Sequence, residues 1–332
     1  MTTIGRAHGT GGRSSHLLIE EVFRPLIGGP LLSPDDAATI ALRSGAMVVT
    51  TDVHVVEPIQ FPGGDIGKLA ITGVVNDLLT RGAQPRFLTL GFILEEGLLI
   101  ATLREIVASI GAEMSAHGIA LLCADTKVIP ARGQPGMMIA STLFGTPLHE
   151  EIPLPGPKVG DALLLSGPLG SHGLALLVAR ESLPFRTTIL SDCTSLYAMI
   201  APLFSDREPL HYLRDVTRGG LAGILHELSK QFSVGFELDE RAIPVLPTVR
   251  AGLTFLGIDP LEVANEGVML LVVPADQAER LRDRLKAHPQ GERAAIVGTV
   301  VERGLAPLVV RTEVGGRRAP PWPEALALPR IC

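Results

Sequence analysis

The stretch Phe61-Pro-Gly-Gly-Asp-Ile-Gly-Lys-Leu-Ala70 predicts a turn followed by a helix. Asp65 is placed to cap this helix, and Gly82 is placed to end it. Runs of apolar and β-branched residues lie on both sides, at Met47–Val55 and at Arg86–Leu94, and each predicts a strand. Strands that alternate with helices in this way indicate an α/β domain.

The alternation of strands and helices continues in two segments that are separated by a proline-rich linker. Residues 151–158 carry three prolines and form the predicted linker, so residues 1–150 make one predicted domain and residues 159–311 a second. The continuous apolar run Val268–Val273 predicts a buried strand in the second domain. Residues 312–332 are rich in Gly, Arg and Pro, and we predict a mobile tail there. The expected fold class is α/β (mixed α+β), with two domains and a flexible C-terminal tail.

The composition is that of a core-forming chain and argues against several functions. Hydrophobic residues make up 46% of the 332 residues and charged residues 19%, a balance typical of globular proteins. The net charge of −6 comes without a basic stripe, so we expect no nucleic-acid partner. No apolar run approaches the ~20 residues of a membrane span, so no membrane association is expected. The sequence shows no secretion signal and no disulfide framework among its three cysteines, which predicts a cytoplasmic location.

Several carboxylates lie in turns or among small residues, where a side chain can reach a ligand. Mg²⁺ prefers oxygen ligands and reaches nucleotide phosphates through a few carboxylates and waters. Each carboxylate taken singly is explained at least as well as a cap or an Asx-turn residue. Neither a Walker A motif nor GxGxxG after a strand is present, so any nucleotide site has a less common architecture. The candidates are Asp35, Asp36, Asp52, Asp77, Asp215 and Glu266.

Two further sequence features allow contact with phosphate. Gly63-Gly64 precede the first predicted helix, where backbone N–H groups can bind an anion. A tight turn with Asp65 as the cap explains the same residues at least as well. Lys127, which follows Asp125 at a predicted strand end, is either a phosphate contact or an exposed charge.

The last residues of the sequence, Pro329-Arg-Ile-Cys332, place a thiol on the proline-rich tail. Such a thiol is either an incidental exposed cysteine or a nucleophile that carries a group covalently. A cysteine on a mobile tail can visit more than one active site, so the second interpretation predicts a swinging carrier arm.

Taken together, these motifs resemble those of the HypE family of hydrogenase maturation factors. That family belongs to the superfamily of aminoimidazole ribonucleotide synthase (PurM) and selenophosphate synthetase. The resemblance spans the whole chain, and its most specific element is the Pro-Arg-Ile-Cys end, which the wider superfamily lacks. Thr10, His54 and Val216 depart from the family pattern without removing a carboxylate or the cysteine. The motifs that carry the resemblance are His8-Gly-Thr-Gly-Gly12, Asp35-Asp-Ala-Ala38, Phe61–Ala70, Val75-Asn-Asp-Leu78, Ala124-Asp-Thr-Lys127, Arg214–Gly220, Ala264-Asn-Glu-Gly267 and Pro329–Cys332.

The resemblance implies a PurM-like fold of two domains and a homodimer whose N-terminal sheets form a barrel-like core. It also implies ATP and Mg²⁺ as cofactors, and a tail that enters the ATP site. The implied reaction is ATP-dependent dehydration of S-carbamoyl-cysteine at Cys332 to S-cyanocysteine. The implied partners are the carbamoyltransferase HypF, which loads the cysteine, and a HypC–HypD complex, which takes the cyanide for the iron of [NiFe]-hydrogenase.

The resemblance further implies a role for each candidate residue. Glu266 is the first candidate for the base that removes the nitrogen protons, and Asp77 is a candidate to share that role. Lys127 is expected to neutralise phosphate charge, and Cys332 to carry the substrate. The implied metal ligands are Asp36, Asp52, Asp77 and Asp215, and the other nucleotide contacts are Asp35, Asp125, Gly63, Gly64 and Lys127.

Two alternatives remain at the level of sequence. One is another ATP-using member of the superfamily, such as a thiamine-monophosphate kinase or a selenophosphate synthetase. The latter is disfavoured because residues 8–15 contain no cysteine. The other is a non-catalytic assembly protein that uses its tail only for docking, which the set of acidic residues argues against.

Overall fold

The computed structural model describes residues 3–5, 8, 18–28, 45–131, 133–149, 154–180 and 188–323. The contacts divide the chain into two compact units. Among the described residues, the first contains those up to 78 together with 83–147, and the second contains 79–82 together with those from 148 to 323.

The first unit is built on a four-stranded sheet with the strand order β1-β6-β4-β5. Its strands are β1 (Val48–His54), β2 (Gln60–Phe61), β3 (Gly64–Asp65), β4 (Ala83–Glu95), β5 (Ala120–Ile129) and β6 (Met137–Pro147), of which β2 and β3 form a separate small hairpin. Its helices are α1 (Arg24–Ile27, preceded by a π-helical turn at Ile19–Phe23), α2 (Ile66–Leu79) and α3 (Ile100–His117). The strands β4 and β5 are parallel and are joined through α3, whereas β6 is antiparallel to both β1 and β4.

Local sequence signals account for the ends of the helices in this unit. The Asp65 carboxylate accepts hydrogen bonds from the N–H groups of Gly67 (2.7 Å) and Lys68 (2.9 Å), so the predicted N-cap is confirmed. Gly118 ends α3 with a φ of 63°, in the left-handed region that glycine adopts without strain. Gly67 allows α2 to approach α3 closely, because a Cβ there would lie 2.4 Å from the carbonyl oxygen of Ile106.

The second unit is a seven-stranded sheet with the order β13-β12-β9-β11-β7-β10-β8. Its strands are β7 (Ala162–Leu165), β8 (Tyr212–Asp215), β9 (Val234–Asp239), β10 (Met269–Val273), β11 (Ala295–Glu302), β12 (Leu308–Arg311) and β13 (Arg317–Arg318). Its helices are α4 (Ser171–Arg180), α5 (Tyr197–Ser205), α6 (Gly220–Phe232), α7 (Pro247–Leu256) and α8 (Ala278–Lys286), with 3-10 turns at Glu240–Ala242, Pro260–Glu262, Ala275–Gln277 and Pro289–Gly291.

The sheet of the second unit is buried on both faces. Alternate residues of β10 belong to different clusters, since Leu270 packs with residues of α6 and Leu271 packs with residues of α5 and α8. All five residues of β10 are therefore buried. This explains why its sequence is a continuous apolar run and lacks the alternation of a half-exposed strand.

The tail begins later than the composition predicted. The expectation that the chain leaves the sheet at Thr312 is corrected, because Arg317 and Arg318 form β13 and pair with Arg311 and Val310 of β12. The Arg318 guanidinium also lies 2.5 Å from the Asp259 carboxylate. A turn containing glycine and two paired arginines has no hydrophobic signal, so only these contacts reveal the strand. Residues 324–332 lie outside the described residues.

Candidate functional site

The first group of candidate residues lies where β1 packs against α2. Side chains alternate along β1, so Thr50, Asp52 and His54 share one face of the sheet. This face is directed toward α2, since the Thr50 hydroxyl donates a 2.9 Å hydrogen bond to the Asp77 carboxylate of that helix. The Asp52 carboxylate lies 3.3 Å from Nε2 of the buried His54. The structure thus brings Asp52 and Asp77 to the same face of the sheet.

His54, which departs from the family pattern, is accommodated by a glycine of α2. A Cβ at Gly73 would lie 2.9 Å from Nε2 of His54, so any larger residue there would collide with the imidazole. The absence of a side chain at residue 73 therefore makes room for the histidine beside Asp52.

Asp125 and Lys127 lie on the opposite face of the same sheet. Asp125 pairs with Gly91, Gly91 pairs with Ala140, and Ala140 pairs with Val53. Paired residues share a face, and Val53 is on the face of β1 that α2 does not cover. The carboxylate of Asp125 and the ammonium group of Lys127 lie 3.3 Å apart and are exposed. Within one protomer the structure therefore does not bring this pair together with Asp52 and Asp77.

The glycine pair before α2 forms the turn that the sequence left as an alternative. Gly63 has a φ of 98°, which favours glycine. The Asp65 carboxylate occupies the first N–H groups of α2 and accepts a further hydrogen bond of 2.5 Å from the Ser109 hydroxyl. The turn-and-cap interpretation accounts for this geometry, and the predicted role of Gly63 and Gly64 in phosphate binding stays a prediction.

In the second unit, Asn265 organises the loop that carries Glu266. Its side-chain amide donates to the carbonyl oxygens of Val216 (2.9 Å) and Val263 (3.0 Å) and accepts from the N–H of Gly170 (2.7 Å). These contacts connect the loop to the segment after β8, where Asp215 is the last residue of the strand. Asp215 and Glu266 are both buried, so each is an ionisable side chain in an enclosed part of this unit.

Asp192 is a residue of this region that the sequence interpretation missed. Its two carboxylate oxygens accept the N–H groups of Glu266 and Gly267, at 3.2 Å each. Although part of the residue stays accessible to solvent, desolvation within the protein raises the pKa of the Asp192 carboxyl to about 6. The signal available in the sequence was weak, because an aspartate in a Ser-Asp-Cys-Thr stretch ahead of a helix looks like an ordinary cap.

The donor set fits Mg²⁺ that arrives with a nucleotide better than a metal held by protein alone. Across the described ranges, no group of three or more His, Cys, Asp or Glu side chains could hold a metal ion. Mg²⁺ bound with phosphates needs only one or two carboxylates, and the face that carries Asp52 and Asp77 provides them. Asp35, Asp36 and Cys332 lie outside the described residues, so their predicted roles stay predictions.

Comparison with known proteins identifies the family. The family model for the N-terminal domain of AIR synthase related proteins matches residues 34–146, and the model for the C-terminal domain matches residues 158–310. The carbamoyl dehydratase HypE of Azotobacter vinelandii is 44% identical over 333 aligned positions, which cover 99% of this chain and 97% of that protein. This chain belongs to the HypE family.

Solved structures of HypE proteins have the same fold. A hydrogenase maturation protein HypE in complex with ATP is 40% identical and superposes with a TM-score of 0.92, covering 98% of this chain and 99% of that one. The structure of a HypE–HypF complex contains a chain 39% identical, with a TM-score of 0.79 and coverage of 92% and 99%. The expected family and the PurM-like fold of two domains are thereby confirmed.

The comparisons also bear on the alternatives. Identity of 44% along nearly the whole length favours HypE over other ATP-using members of the superfamily.

None of the helices in the part of the chain that the structure describes is long and apolar enough to cross a membrane.

Proposed function

We propose that this HypE-family protein is an ATP-dependent carbamoyl dehydratase that acts on an S-carbamoyl group carried by its own Cys332. The product is an S-cyanocysteine, which supplies the cyanide ligand for the iron of [NiFe]-hydrogenase. The observation that carries the proposal is a sequence identity of 44%, over nearly the full length of the chain, with a protein named carbamoyl dehydratase. A relative crystallised with ATP supports the use of ATP.

The reaction converts R–S–C(=O)NH₂ and ATP into R–S–C≡N, ADP and phosphate. The carboxamide oxygen attacks the γ-phosphorus, the bond from that phosphorus to ADP breaks, and the oxygen becomes part of a good leaving group. The nitrogen then gives up both of its protons as the C–O bond breaks and phosphate departs. Phosphoryl transfer of this kind depends chiefly on positioning and on charge neutralisation, which suits a site of carboxylates and one lysine.

The proposed nucleotide contacts follow from the donor types. Mg²⁺, when bound, neutralises phosphate charge, and Asp36, Asp52, Asp77 and Asp215 are its proposed ligands. The hydrogen bond from Thr50 supports this role for Asp77, because it holds the carboxylate in one orientation. Asp77 also lies in the last turn of α2, where the partial negative charge of the helix end makes a cation a favourable neighbour. The remaining proposed nucleotide contacts are Asp35, Asp125, Lys127, Gly63 and Gly64.

We further propose a homodimer, formed through the face of the first sheet that α2 does not cover. Val49 and Val53 on this face are 57% and 53% exposed, and Ile93 is also exposed. Apolar side chains side by side on an open sheet face indicate a partner surface.

Glu266 is the proposed base. A base must lie within hydrogen-bond reach of the proton that it removes. Burial also limits the number of water molecules that can hydrogen-bond to a carboxylate in place of the substrate. Glu266 is buried and its loop is held by Asn265, so its side chain starts from a defined position. Asp77 is the second candidate for this role.

The proposed partners are HypF and a HypC–HypD complex. The support for HypF is the solved HypE–HypF complex of a relative. HypF would place the carbamoyl group on Cys332, and the HypC–HypD complex would accept the cyanide from it.

Mass spectrometry of the intact protein and of its C-terminal peptide tests the function directly. The protein is incubated with the carbamoyltransferase and carbamoyl phosphate, and a purified carbamoylated sample is then divided between buffers with and without Mg–ATP. We expect addition of one carbamoyl group at Cys332 and, only with ATP, the loss of one water. If Cys332 stays unmodified in the presence of active HypF, the proposal is wrong.

A further inference from the structure

The side chain of Glu266 is flanked by two peptide groups, and the Asp192 carboxylate binds the N–H on each side of it. Oδ1 accepts from the N–H of Glu266 and Oδ2 accepts from the N–H of Gly267, at 3.2 Å each. The two oxygens of one carboxylate can accept both bonds at once, whereas a neutral amide offers only one acceptor oxygen. The carboxylate therefore gives each N–H an acceptor oxygen of its own.

Asp192 is itself held in place by its neighbours. The Ser191 hydroxyl accepts the N–H of Cys193 (3.0 Å) and hydrogen-bonds Nδ1 of His172 in α4 (2.8 Å). The backbone of Asp192 also packs tightly against Gly267, since a Cβ on that glycine would lie 2.0 Å from the carbonyl oxygen of Asp192. The segment that carries the carboxylate is thus fixed to α4 and to the glutamate loop, residues 264–267.

The glutamate loop is fixed on both sides of Glu266. Asn265 anchors the preceding residue through three hydrogen bonds, and Asp192 anchors the peptide groups of Glu266 and Gly267. Because Asn265 and Asp192 restrain the backbone before and after the side chain, the direction in which Glu266 leaves the chain is restrained as well.

We propose that Asp192 is a positioning residue for Glu266, which it holds in the orientation needed to take protons from the carbamoyl nitrogen. This inference rests on the proposed function. Desolvation also raises the pKa of the Asp192 carboxyl, because removal from water disfavours the charged form. Positioning errors of about 1 Å reduce enzyme rates by about a hundredfold. Hydrogen bonds that fix the position of Glu266 would therefore have a large effect on the rate.

The test uses full-length, carbamoylated protein and follows conversion to the S-cyano form in a single turnover, at several ATP concentrations. We expect Asp192→Asn to lower the rate at saturating ATP by about tenfold to a hundredfold, while the ATP concentration at half-maximal rate changes by less than about twofold. Asp161→Asn is the matched control. Asp161 is likewise an aspartate of the second unit whose carboxylate accepts a backbone N–H, that of Lys158, and it also contacts His211. Its replacement therefore removes comparable contacts away from Glu266.

The decisive readout is the double variant with Glu266→Gln. Since Asp192 acts through Glu266, we expect Asp192→Asn to cause no further loss of rate in the Glu266→Gln background. An equal loss in both backgrounds, a wild-type rate for Asp192→Asn, or an equal loss for Asp161→Asn would overturn the proposal. If Asp192→Asn does not fold, Asp192→Ser, which keeps one acceptor oxygen, replaces it in the same experiment.

The outcome for the wild type separates this inference from the proposed function. If carbamoylated wild type loses no water with ATP, the proposed function itself is wrong. If wild type is active and Glu266→Gln is equally active, the dehydratase stands, and Asp192 has no base to position.

Discussion

The Thr50 hydroxyl donates a 2.9 Å hydrogen bond to the Asp77 carboxylate, which ties strand β1 to helix α2 across 27 positions of sequence. An aspartate near the C-terminal end of a helix is electrostatically unfavourable, because the helix end already carries partial negative charge. The sheet therefore supplies a donor that holds this carboxylate in a place where a cation would stabilise it. For the same reason we include the hydroxyl of Thr50 in the proposed nucleotide site.

Replacing Thr50 with valine is expected to weaken binding of Mg–ATP by about tenfold, since a hydrogen bond to a charged group is worth about 1.5 kcal/mol. Calorimetric titration with Mg–ATP measures this. Thr51→Val is the matched control, because Thr51 lies on the other face of β1 and bonds Thr142 of β6. Equal affinities of Thr50→Val and wild type would contradict the prediction.

Cys332→Ala is expected to abolish carbamoylation and cyanation while leaving the affinity for Mg–ATP unchanged. The reason is that the thiol carries the substrate and is not a proposed contact of the nucleotide. Peptide mass spectrometry and ATP titration measure the two properties separately. Cys123→Ala, which removes a partly buried thiol of β5, serves as the control and should stay fully active. Normal cyanation in Cys332→Ala would rule out the carrier role.

Val53→Asp is expected to convert the dimer to a monomer, because it places a charge in the middle of the proposed apolar interface. Light scattering after size-exclusion chromatography measures the mass. Val159→Asp is the control, since Val159 is 56% exposed in the second unit, outside the proposed interface. A dimer that persists in Val53→Asp would place the interface elsewhere.

The stability of the protein should depend on the ionisation of Asp192. Desolvation raises the pKa of this carboxyl from 3.8 to about 6, so the folded state favours the protonated form. The resulting stabilisation is complete below about pH 4 and is lost as the pH rises through about 6. The titratable residues whose backbone contacts the carboxylate are Glu266 and His172.

Urea unfolding at a series of pH values measures this dependence. Relative to Asp192→Asn, which does not ionise, the wild type should lose up to about 3 kcal/mol of unfolding free energy between pH 4 and pH 7. A difference between the two proteins that stays constant over this range would show that the pKa of Asp192 is not raised.

Residues 317–322, which we call the strap, should be loosened by His226→Ala. The imidazole of His226 donates to the carbonyl oxygen of Pro320 (3.0 Å) and stacks on the ring of Trp322, with ring centroids 5.6 Å apart. Loss of both contacts should lower the unfolding free energy by about 1–2 kcal/mol. It should also expose Trp322, the sole tryptophan, beyond its present 44%.

Acrylamide quenching of tryptophan fluorescence reports on the strap alone, because no other tryptophan contributes. Quenching should increase in His226→Ala and stay unchanged in His288→Ala, a histidine whose Nδ1 accepts the N–H of Gln290. Equal quenching in His226→Ala and wild type would show that the strap is held by its other contacts, such as the ion pair of Arg318 with Asp259.

Elements with a strong local pattern were predictable from the sequence. The run Val268–Val273 contains β10 because a strand buried on both faces must be apolar throughout. Strand β8 and the pair β12–β13 were missed, because each of these strands has four residues or fewer and gives little pattern along the chain. They form strands through hydrogen bonds to neighbouring strands.

By itself, the sequence determined the residue types of the site, the family, and the local ends of helices such as the Asp65 cap, because each depends on neighbouring residues in the chain. The tertiary structure alone decided which carboxylates share a face and which residues hold them. Asp52 and Asp125 lie on opposite faces of one sheet through strand register. Asp192 reaches Glu266 across 74 positions of sequence, because hydrogen bonds between distant segments depend on how the strands and helices pack and not on spacing along the chain.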